Sequence, residues 1–396
     1  DLREPLCPAY YYFFTKKLMN YYTRSLEEHK KYQWKVWITS RVPLETREDL
    51  STYYSPWVAQ PCLEIAEDPE KAYDYTWKSR SVAVVSDGSA VLGLGNIGGL
   101  AGLPVMEGKA VLFKAFGDVD AIPLVLNTQD PGEIIATVER IAPSFWGINL
   151  EDIAAPNCFY IEEELKKRLN IPVFHDDQHG TAIVVLAGLI NALKITKKEL
   201  WSLKIVIAGA GAAGLAIATL LKAYGAQHLI ITDSKGCIHE GRSDLNAYKL
   251  AWTATNLNNE QGSLADALVG ADVFIGVSKP NLITAEEVKT MNPDPIIFAL
   301  SNPEPEILPA EAEKGWASII ATGRSDFPNQ VNNVLVFPGL FKGVLEARIP
   351  QIETKHKLAA AKALANFIKN PTKEEILPSA LNKEVAEVIA QAVKLA

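Results

Sequence analysis

Four acidic side chains follow two short apolar segments of the chain, and their arrangement suits a metal ion. One pair comes directly after residues 147–150 and the other after residues 171–174; the acids are Glu151, Asp152, Asp176 and Asp177. Short apolar runs are typical of buried strands, and acids at the carboxyl ends of parallel strands face the crevice in which ligands bind. Like charges gathered there resist removal from water, so they need a cation. Because all the ligand atoms would be oxygens, Mg²⁺ or Mn²⁺ is predicted.

The second acidic pair has an alternative role as a helix cap. Asp177 precedes an apolar segment, residues 181–193, that predicts a buried helix, and Asp is a common N-cap residue. His175 and His179 have a spacing that superficially suggests zinc. The residues between them lack the glutamate-first pattern of a metalloprotease helix, so a zinc site is disfavoured.

Lys109 and Tyr54 are candidates for proton transfer. Lys109 opens the apolar run 110–113, which predicts a buried strand, and burial would lower the pKa of the lysine toward that of a useful base. A solvated lysine at a strand edge is the alternative. Tyr54 stands before Ser-Pro in a turn-rich region, where its hydroxyl could reach a cleft as a proton donor. A packed tyrosine is the alternative, and it is the more common role.

A glycine-rich turn in the second half of the chain has the full context of a dinucleotide-binding site. The apolar run 203–208 enters the turn 209–214, which opens an apolar helix predicted over residues 215–224. The next apolar run, 228–232, ends at an acid, Asp233. Strand, glycine turn, helix, strand and terminal acid together form the dinucleotide fingerprint.

Each glycine of this turn has its own predicted role. Gly209 permits the tight bend, Gly211 lets the backbone approach the pyrophosphate, and Gly214 lets the helix and strand pack closely. The helix N-terminus then receives the phosphate charge. Asp233 would bind the ribose hydroxyls and disfavour a 2′-phosphate, so NAD is expected, while Lys235 leaves NADP open.

Other segments complete the organisation of the chain. Residues 93–98 also have the pattern G-x-G-x-x-G, but no strand–helix–strand with a terminal acid follows, so they are interpreted as a substrate loop. Apolar runs at 271–277, 296–300 and 318–322 continue a doubly wound pattern. The last two runs are followed by asparagines that are either turn formers or carboxylate donors: Asn302, Asn332 and Asn333. The sequence alone favours the turn interpretation.

The composition indicates a globular enzyme. The chain has 396 residues, of which 48% are hydrophobic and 22% charged, enough for two domains with their own cores. A net charge of −8 argues against nucleic acid as a partner. The four cysteines are scattered and are expected to be free thiols in a reducing compartment. No apolar run reaches the roughly 18–20 residues of a membrane helix and no secretory signal is visible, so a cytoplasmic location is predicted.

Taken together, these motifs resemble those of the small, bacterial-type malic enzymes over residues 41–367. The similar segments are 54–56, 93–98, 108–112, 149–153, 175–182, 209–214, 301–303 and 329–338. The resemblance implies an α/β fold with an N-terminal malate- and metal-binding domain, residues 1–180. A C-terminal Rossmann-type doubly wound dinucleotide-binding domain with terminal helices would span residues 181–396. The implied reaction is oxidative decarboxylation of L-malate to pyruvate and CO₂ with NAD or NADP and with Mg²⁺ or Mn²⁺.

The resemblance also implies roles for individual residues. Lys109 matches the general base and Tyr54 the general acid. The metal site is matched by four carboxylates: Glu151, Asp152 and Asp177 as ligands, with Asp176 beside them. The cofactor site is matched by Gly209, Gly211, Ala212, Gly214, Asp233 and Asn302. The substrate site is matched by Asn302 and Asn333, with Asn332 beside them.

Two other functions stay open at this point. A metal-dependent oxaloacetate decarboxylase would use the same residues without net redox change. An NAD-binding regulatory protein would have lost catalysis, but the presence of the lysine, the tyrosine and the acid cluster argues against it.

Aromatic residues bear on assembly and on local packing. Those at 10–14 and 21–22, together with the resemblance, predict a homodimer. Trp57, Trp77 and Trp146 stand where similar sequences have mostly small residues, so local repacking is expected around them.

Overall fold

The computed structural model describes residues 21–91 and 93–396, and the chain divides into two units, Asp1–Cys62 and Leu63–Ala396. In the described part of the first unit, residues 21–32 are helical and Arg47–Tyr53 forms a further helix. None of the described residues of this unit is buried. The aromatic residues at 10–14 lie outside the described part of the chain. The helix Ala59–Glu67 contains the division between the units.

The second unit contains a four-stranded parallel sheet with the order β2-β1-β3-β4. Its strands are β1 (Ser81–Ser86), β2 (Asp120–Val125), β3 (Gly147–Leu150) and β4 (Val173–His175). The helices that connect them in turn are Gly99–Gly117, Pro131–Ile141 and Asn157–Arg168, and the short helix Ala72–Tyr75 precedes β1. Strand β1 is buried along its whole length, as its run of Val and Ala predicts for a central parallel strand.

The apolar run 110–113 lies inside the helix Gly99–Gly117, so the prediction of a strand was wrong. A short apolar run fits a buried strand and a buried helix equally well. Here the buried positions Met106, Lys109 and Phe113 recur at spacings of three and four residues, which is the helical period. Lys109 therefore reaches the first sheet from a helix.

A six-stranded sheet with the order β10-β9-β8-β5-β6-β7 follows in the chain. Its strands are β5 (Lys204–Ala208), β6 (His228–Asp233), β7 (Gly236–Cys237), β8 (Val273–Gly276), β9 (Ile296–Ala299) and β10 (Ile319–Thr322). All pairs are parallel except β6 with β7. The chain order reverses between β5 and β8, and doubly wound sheets bind ligands at such a switch point. The predicted α/β fold class is confirmed.

The longest helix of this region, Ala212–Tyr224, follows β5 directly. The shorter helices are Ala247–Leu250, Leu264–Leu268, Ala285–Lys289 and Pro309–Lys314. Apolar side chains from five strands, β5 to β9, and from the short helices form one buried cluster, with Val206, Phe274 and Ile297 among its members.

The two sheets are linked by a 21-residue helix, Asp176–Thr196. By length and composition this helix could cross a membrane, but 61% of its apolar window is buried inside the protein. Gly188 faces β9, where an added Cβ would lie 3.0 Å from the Phe298 ring. The apolar character of the helix Asp176–Thr196 thus follows from its place in the core of the protein.

The C-terminal helices return to the first sheet. Phe337 and Phe341, on the helix Phe337–Glu346, lie with ring centres 4.7 and 5.3 Å from that of Phe113. The chain ends in two further helices, Thr354–Phe367 and Glu384–Lys394. The domain boundary between residues 180 and 181 stays a prediction.

Candidate functional site

Strands β3 and β4 bring the two acidic pairs together. The strands are adjacent and parallel, with Leu150 opposite His175, so the residues that follow them meet at one edge of the sheet. Glu151, Asp152 and Asp177 each present one carboxylate oxygen, and these oxygens all lie within 4.8 Å of one another. Glu151 and Asp152 are only 4% exposed. We call these three residues, with Asp176, the acid cluster.

The electrostatics of the acid cluster fit a divalent cation. Burial, together with the charges of Asp177 and Glu151, raises the pKa of Asp152 to about 9. The Oδ2 atom of Asp152 is buried and has no hydrogen-bond partner within the described residues. A buried carboxylate without donors is costly to ionise, and a hard cation that prefers oxygen ligands would offset that cost. Glu151, Asp152 and Asp177 are therefore the residues that could hold Mg²⁺ or Mn²⁺.

Asp177 belongs to this cluster rather than to a helix cap. The helix begins at Asp176, and its N-cap is His175, whose side chain makes no capping hydrogen bond. Asp177 instead accepts a hydrogen bond from the Asp152 backbone N–H at 2.8 Å. Asp152 has φ 54°, in the left-handed region that residues other than glycine seldom adopt and that often marks functional sites. The N-cap alternative for Asp177 is wrong.

Lys109 lies in contact with the acid cluster. Its Nζ atom is 2.6 Å from Asp176 Oδ2 and 2.7 Å from Glu151 Oε1, and the residue is 6% exposed. It also lies 4.2 Å from the centre of the Phe337 ring. Burial opposes the charge, but the two carboxylates outweigh it and raise the pKa of Lys109 above its usual value. The predicted burial is confirmed and the predicted lowering of the pKa is wrong, because the sequence does not reveal the paired acids.

Asp176 is held by groups from distant parts of the chain. Besides Lys109, it accepts a hydrogen bond from Asn333 Nδ2 at 2.6 Å, across 157 positions of sequence. Gly180 leaves room for its carboxylate, because a Cβ there would lie 2.0 Å from Asp176 Oδ1. Burial raises the pKa of Asp176 to about 6. The structure thus joins Asn333, predicted to bind substrate, to the acid cluster.

Asn149 is a residue of this site that the sequence analysis did not identify. It is fully buried on β3, and its Nδ2 donates to Glu151 Oε2 at 2.8 Å. Its own Oδ1 has no partner within the described part of the chain. An amide inside an otherwise apolar strand was the available signal, since buried polar groups are seldom left unpaired.

The other two predicted asparagines have different surroundings. Asn332 caps the short helix Asn333–Leu335, and its Oδ1 accepts a hydrogen bond from the Val334 N–H at 3.0 Å. The turn interpretation therefore applies to Asn332. Asn302 follows β9, and a Cβ on Gly93 would lie 2.9 Å from its carbonyl oxygen. The first glycine-rich run therefore borders Asn302.

Tyr54 lies in the first unit, at the end of the helix Arg47–Tyr53, and is 72% exposed. Its role as general acid stays a prediction.

The three tryptophans that suggested repacking lie on the surface or beside other rings. Trp57, in the same unit as Tyr54, is exposed. Trp77 and Trp146 pack on Phe145 and Tyr73, with ring centres 6.2 and 5.0 Å apart.

The turn after β5 has the geometry of a pyrophosphate site. Gly209 has φ 124°, and a Cβ on Gly214 would lie 1.8 Å from the Gly209 carbonyl oxygen. A Cβ on Gly211 would meet nothing within 4 Å, so its backbone is open to a ligand at the N-terminus of the helix that begins at Ala212. These observations agree with the packing predicted for each glycine, and cofactor binding by them stays a prediction.

Asp233 ends β6 beside a pocket of about 750 Å³. Its carboxylate lies 3.0 Å from Arg242 and 2.7 Å from Lys249. Asp244 in turn pairs with Arg242 and with Lys235, at 2.8 and 3.0 Å. Burial opposes the charge of Asp233, but hydrogen bonds from Arg242 and Lys249 lower its pKa to about 2. Three cations thus surround two acids at this end of the pocket.

Comparisons with known proteins agree with this architecture. Residues 33–166 match the family model "Malic enzyme, N-terminal domain", and residues 178–396 match "Malic enzyme, NAD binding domain". The chain is 54% identical over 373 residues to the bifunctional malic/malolactic enzyme of Bacillus subtilis, covering 93% of this chain and 91% of that protein. It is 52% identical over 338 residues to the NADP-dependent malic enzyme of Halomonas elongata, covering 85% and 79%.

A solved structure extends the similarity to three dimensions. The crystal structure of an NAD-dependent malic enzyme from Thermotoga maritima matches with a TM-score of 0.91 and 49% identity. The match covers 93% of this chain and 98% of that one. The chain therefore belongs to the malic enzyme family.

Proposed function

We propose that the protein catalyses the oxidative decarboxylation of L-malate to pyruvate and CO₂, with reduction of NAD or NADP and with Mg²⁺ or Mn²⁺ as its metal. The observation that carries the proposal is the contact of Lys109 Nζ with Asp176 and Glu151, at 2.6 and 2.7 Å, inside the acid cluster. Deprotonation of a substrate hydroxyl requires a proton-transfer group, and the neighbouring oxygen ligands could hold a cation that would make that hydroxyl more acidic. Membership of the malic enzyme family supports the same reaction.

Glu151, Asp152 and Asp177 are the proposed metal ligands. Bound to them, the cation would polarise the C2 oxygen of the substrate and stabilise the negative charge that develops there. Asn149 orients Glu151 through its 2.8 Å hydrogen bond, and the Asp152 backbone N–H orients Asp177. Neighbours of this kind commonly control the affinity of a metal site.

Lys109 is the proposed base for the C2 hydroxyl proton as the C2 hydride leaves for the nicotinamide. Its two carboxylates hold it charged in the protein alone. A cation bound by Glu151 would offset the charge of that carboxylate and so weaken its hold on the lysine proton, which would lower the pKa of Lys109 toward that of a useful base. The oxaloacetate so formed loses its β-carboxylate as CO₂, and Tyr54 is proposed to supply the proton at C3.

The remaining predicted residues are proposed to bind the substrate and the cofactor. The substrate carboxylates would be held by amides: Asn302, Asn332 and Asn333. The cofactor pyrophosphate would lie on the turn after β5: Gly209, Gly211, Ala212 and Gly214. Asn302 would border the cofactor as well, since it follows β9 at the carboxyl edge of the second sheet.

The charges around Asp233 support the use of both NAD and NADP. An unpaired aspartate would repel a 2′-phosphate, but Arg242 and Lys249 already neutralise this one. With Lys235 and Asp244 included, three cations stand against two acids, so a 2′-phosphate would meet net positive charge. We therefore expect activity with both cofactors.

A cytoplasmic homodimer is proposed as the working form. Three apolar residues of the helix Gly99–Gly117 are exposed: Leu100 at 82%, Val105 at 41% and Val111 at 37%. Exposed apolar surface along several turns of a helix is typical of a subunit interface. Sedimentation at micromolar concentration tests the assembly, and a monomer would contradict it.

The proposed reaction is tested by absorbance at 340 nm with L-malate, Mn²⁺ and either NAD or NADP. A rise that EDTA abolishes is expected with both cofactors. A flat trace with malate would contradict the proposal. Consumption of oxaloacetate in the same preparation would then favour the decarboxylase without net redox change.

A second reaction, conversion of malate to lactate and CO₂, is supported by one comparison. The Bacillus subtilis relative, 54% identical, is named a bifunctional malic/malolactic enzyme. This reaction leaves the cofactor unchanged overall, so it escapes detection at 340 nm. Lactate formed from malate with substoichiometric NAD would support it, and pyruvate without lactate would exclude it.

A further inference from the structure

A buried carboxylate outside the acid cluster binds the segment that carries Asp176 and Asp177. We call this segment, residues 175–179, the ligand turn. The carboxylate belongs to Glu162, which is 4% exposed. It has three partners in the ligand turn: His179 Nε2 at 2.8 and 2.9 Å from its two oxygens, Gln178 Nε2 at 3.3 Å, and the His175 backbone N–H at 3.4 Å.

The same network joins the ligand turn to a third helix. His179 Nδ1 lies 2.9 Å from Nζ of Lys357, which is on the helix Thr354–Phe367. The Glu162 carboxylate only accepts, so Nε2 carries the ring proton and donates it to Glu162, and Nδ1 is left to accept from Lys357. On the solvent side, Lys166 Nζ lies 2.5 Å from Glu162 Oε1. The ligand turn is thus hydrogen-bonded to two helices, Asn157–Arg168 and Thr354–Phe367, and neither helix contributes a residue to the acid cluster.

Glu162 is ionised in this network. Burial opposes its charge, but His179 and Lys166 hold its pKa well below the usual range. Hydrogen bonds to a charged acceptor are stronger than those to a neutral amide oxygen. The ligand turn is therefore anchored by charge-assisted contacts in addition to its packing.

We infer that Glu162 is a positioning residue for the metal site, which fixes the ligand turn so that Asp177 and Asp176 face the rest of the acid cluster. A small displacement of the ligand turn would break these contacts, because Asp177 accepts a 2.8 Å hydrogen bond from the Asp152 backbone N–H and Asp176 lies 2.6 Å from Lys109. Partners that orient metal ligands commonly change the affinity for the metal by about 10- to 100-fold when they are removed. The inference rests on the proposed metal site.

The test compares Mn²⁺ binding by the full-length protein and two variants, measured by electron paramagnetic resonance of free Mn²⁺ without substrate. Glu162→Gln keeps the volume of the side chain but removes its charge. Lys166→Met is the matched control, because it removes a partner of the same carboxylate without touching the ligand turn. We expect Glu162→Gln to raise the Mn²⁺ dissociation constant about tenfold and Lys166→Met to change it less than about twofold.

A second measurement separates positioning from chemistry. The midpoint of thermal unfolding in EDTA is expected to fall in both variants, and further in Glu162→Gln, because that variant weakens the contacts with the ligand turn as well as losing the ion pair with Lys166. The turnover rate of Glu162→Gln should approach that of the wild type as Mn²⁺ is raised, because the proposed base and acid are intact. A rate that stays low at saturating Mn²⁺ would overturn the positioning role.

The other outcomes are also decisive. Unchanged Mn²⁺ affinity in Glu162→Gln, or equal weakening in Lys166→Met, would reduce Glu162 to a general stabilising residue. If Glu162→Gln does not fold, His179→Leu is the alternative, because it removes the shortest hydrogen bond between Glu162 and the ligand turn. This variant should weaken Mn²⁺ binding in the same way. Unchanged Mn²⁺ affinity would overturn the inference. A wild-type protein that binds no Mn²⁺ would instead refute the proposed metal site.

Discussion

The acid cluster and the surroundings of Asp233 differ in how their carboxylates are paired. In the acid cluster, Asp152 keeps an oxygen without a partner in the described chain, and its pKa is raised to about 9. Asp233 is bound by Arg242 and Lys249, and its pKa falls to about 2. The first site has the oxygen ligands that we propose for a cation from outside, whereas the second is neutralised by cations of the chain itself. An unpaired buried carboxylate lowers the stability of the free protein and couples that stability to the binding of a cation, whereas a carboxylate paired within the chain needs no cation from outside.

The largest effect is expected from replacing Lys109, the lysine that contacts the acid cluster. Lys109→Ala should lower malate-dependent NADH formation by about 10³-fold, since both the base and the countercharge of Asp176 and Glu151 are lost. The measurement is the initial rate at 340 nm with saturating Mn²⁺. Lys114→Ala is the control, because this lysine pairs with Asp118 and Asp120 on the surface of the same helix. Equal losses in the two variants would contradict the role of Lys109.

Asp152→Asn tests whether unpaired charge weakens the free protein. The variant should bind Mn²⁺ about 10²-fold more weakly, because a ligand is lost. In EDTA its free energy of unfolding should exceed that of the wild type by about 1 kcal/mol, since an amide need not be protonated or desolvated as a charge. Urea unfolding with and without Mn²⁺ gives both values. A variant that is less stable than the wild type in EDTA would show that Asp152 carries no electrostatic strain.

Two glycines of the turn after β5 separate packing from ligand binding. Gly214→Ala should lower the free energy of unfolding by about 3 kcal/mol, because its Cβ would lie 1.8 Å from the Gly209 carbonyl oxygen. Gly211→Ala should change stability by less than about 0.5 kcal/mol, since its Cβ meets nothing within 4 Å. The same variant should raise the KM for NAD about tenfold at unchanged kcat. Urea unfolding and steady-state kinetics measure these effects, and normal NAD binding by Gly211→Ala would place the pyrophosphate elsewhere.

The smallest effect is expected at Asp233, where the charge is already paired. Its pKa of about 2 lies below the ordinary 3.8, so the pair stabilises the fold above about pH 4 and loses this contribution as the pH falls toward 2. Asp233→Asn should therefore be slightly less stable than the wild type at pH 7, and the difference should shrink at pH 3. Urea unfolding at the two pH values checks this, and a constant difference would show that charge is not its cause. The kcat/KM ratio of NADP to NAD should rise about threefold, because one negative charge near the 2′ position is lost.

What could be predicted from the sequence was local. The strands, the glycine turn and Asp233 could be placed because each follows from residue types within a few positions of one another. The helix around Lys109 could not, because a four-residue apolar run has no period of its own. The raised pKa of Lys109 and the pairing of Asp233 with Lys249 depend on side chains brought together by the fold, which no local pattern encodes.

The contacts that the C-terminal part of the chain makes with Asp176 and Lys109 could not be predicted either. Asn333 was predicted to form a turn or to bind substrate, and Phe337 was not singled out, yet they contact Asp176 and Lys109. A pattern read along the chain cannot place groups that lie more than 150 positions apart. Asn149 could have been identified from the sequence, because an amide within an otherwise apolar strand is a local signal of a buried polar contact.

The return of the C-terminal segment to the first sheet has a consequence for biosynthesis. When a ribosome has completed the helix Asp176–Thr196, all the proposed metal ligands have been made, but Asn333 and Phe337 have not. Contacts across such long separations form late in folding, because their loops must close first. A growing chain therefore cannot assemble the complete centre until the second sheet has been made. The emerging first half carries its acids without their final partners, and the centre is completed only after nearly the whole fold has been synthesised.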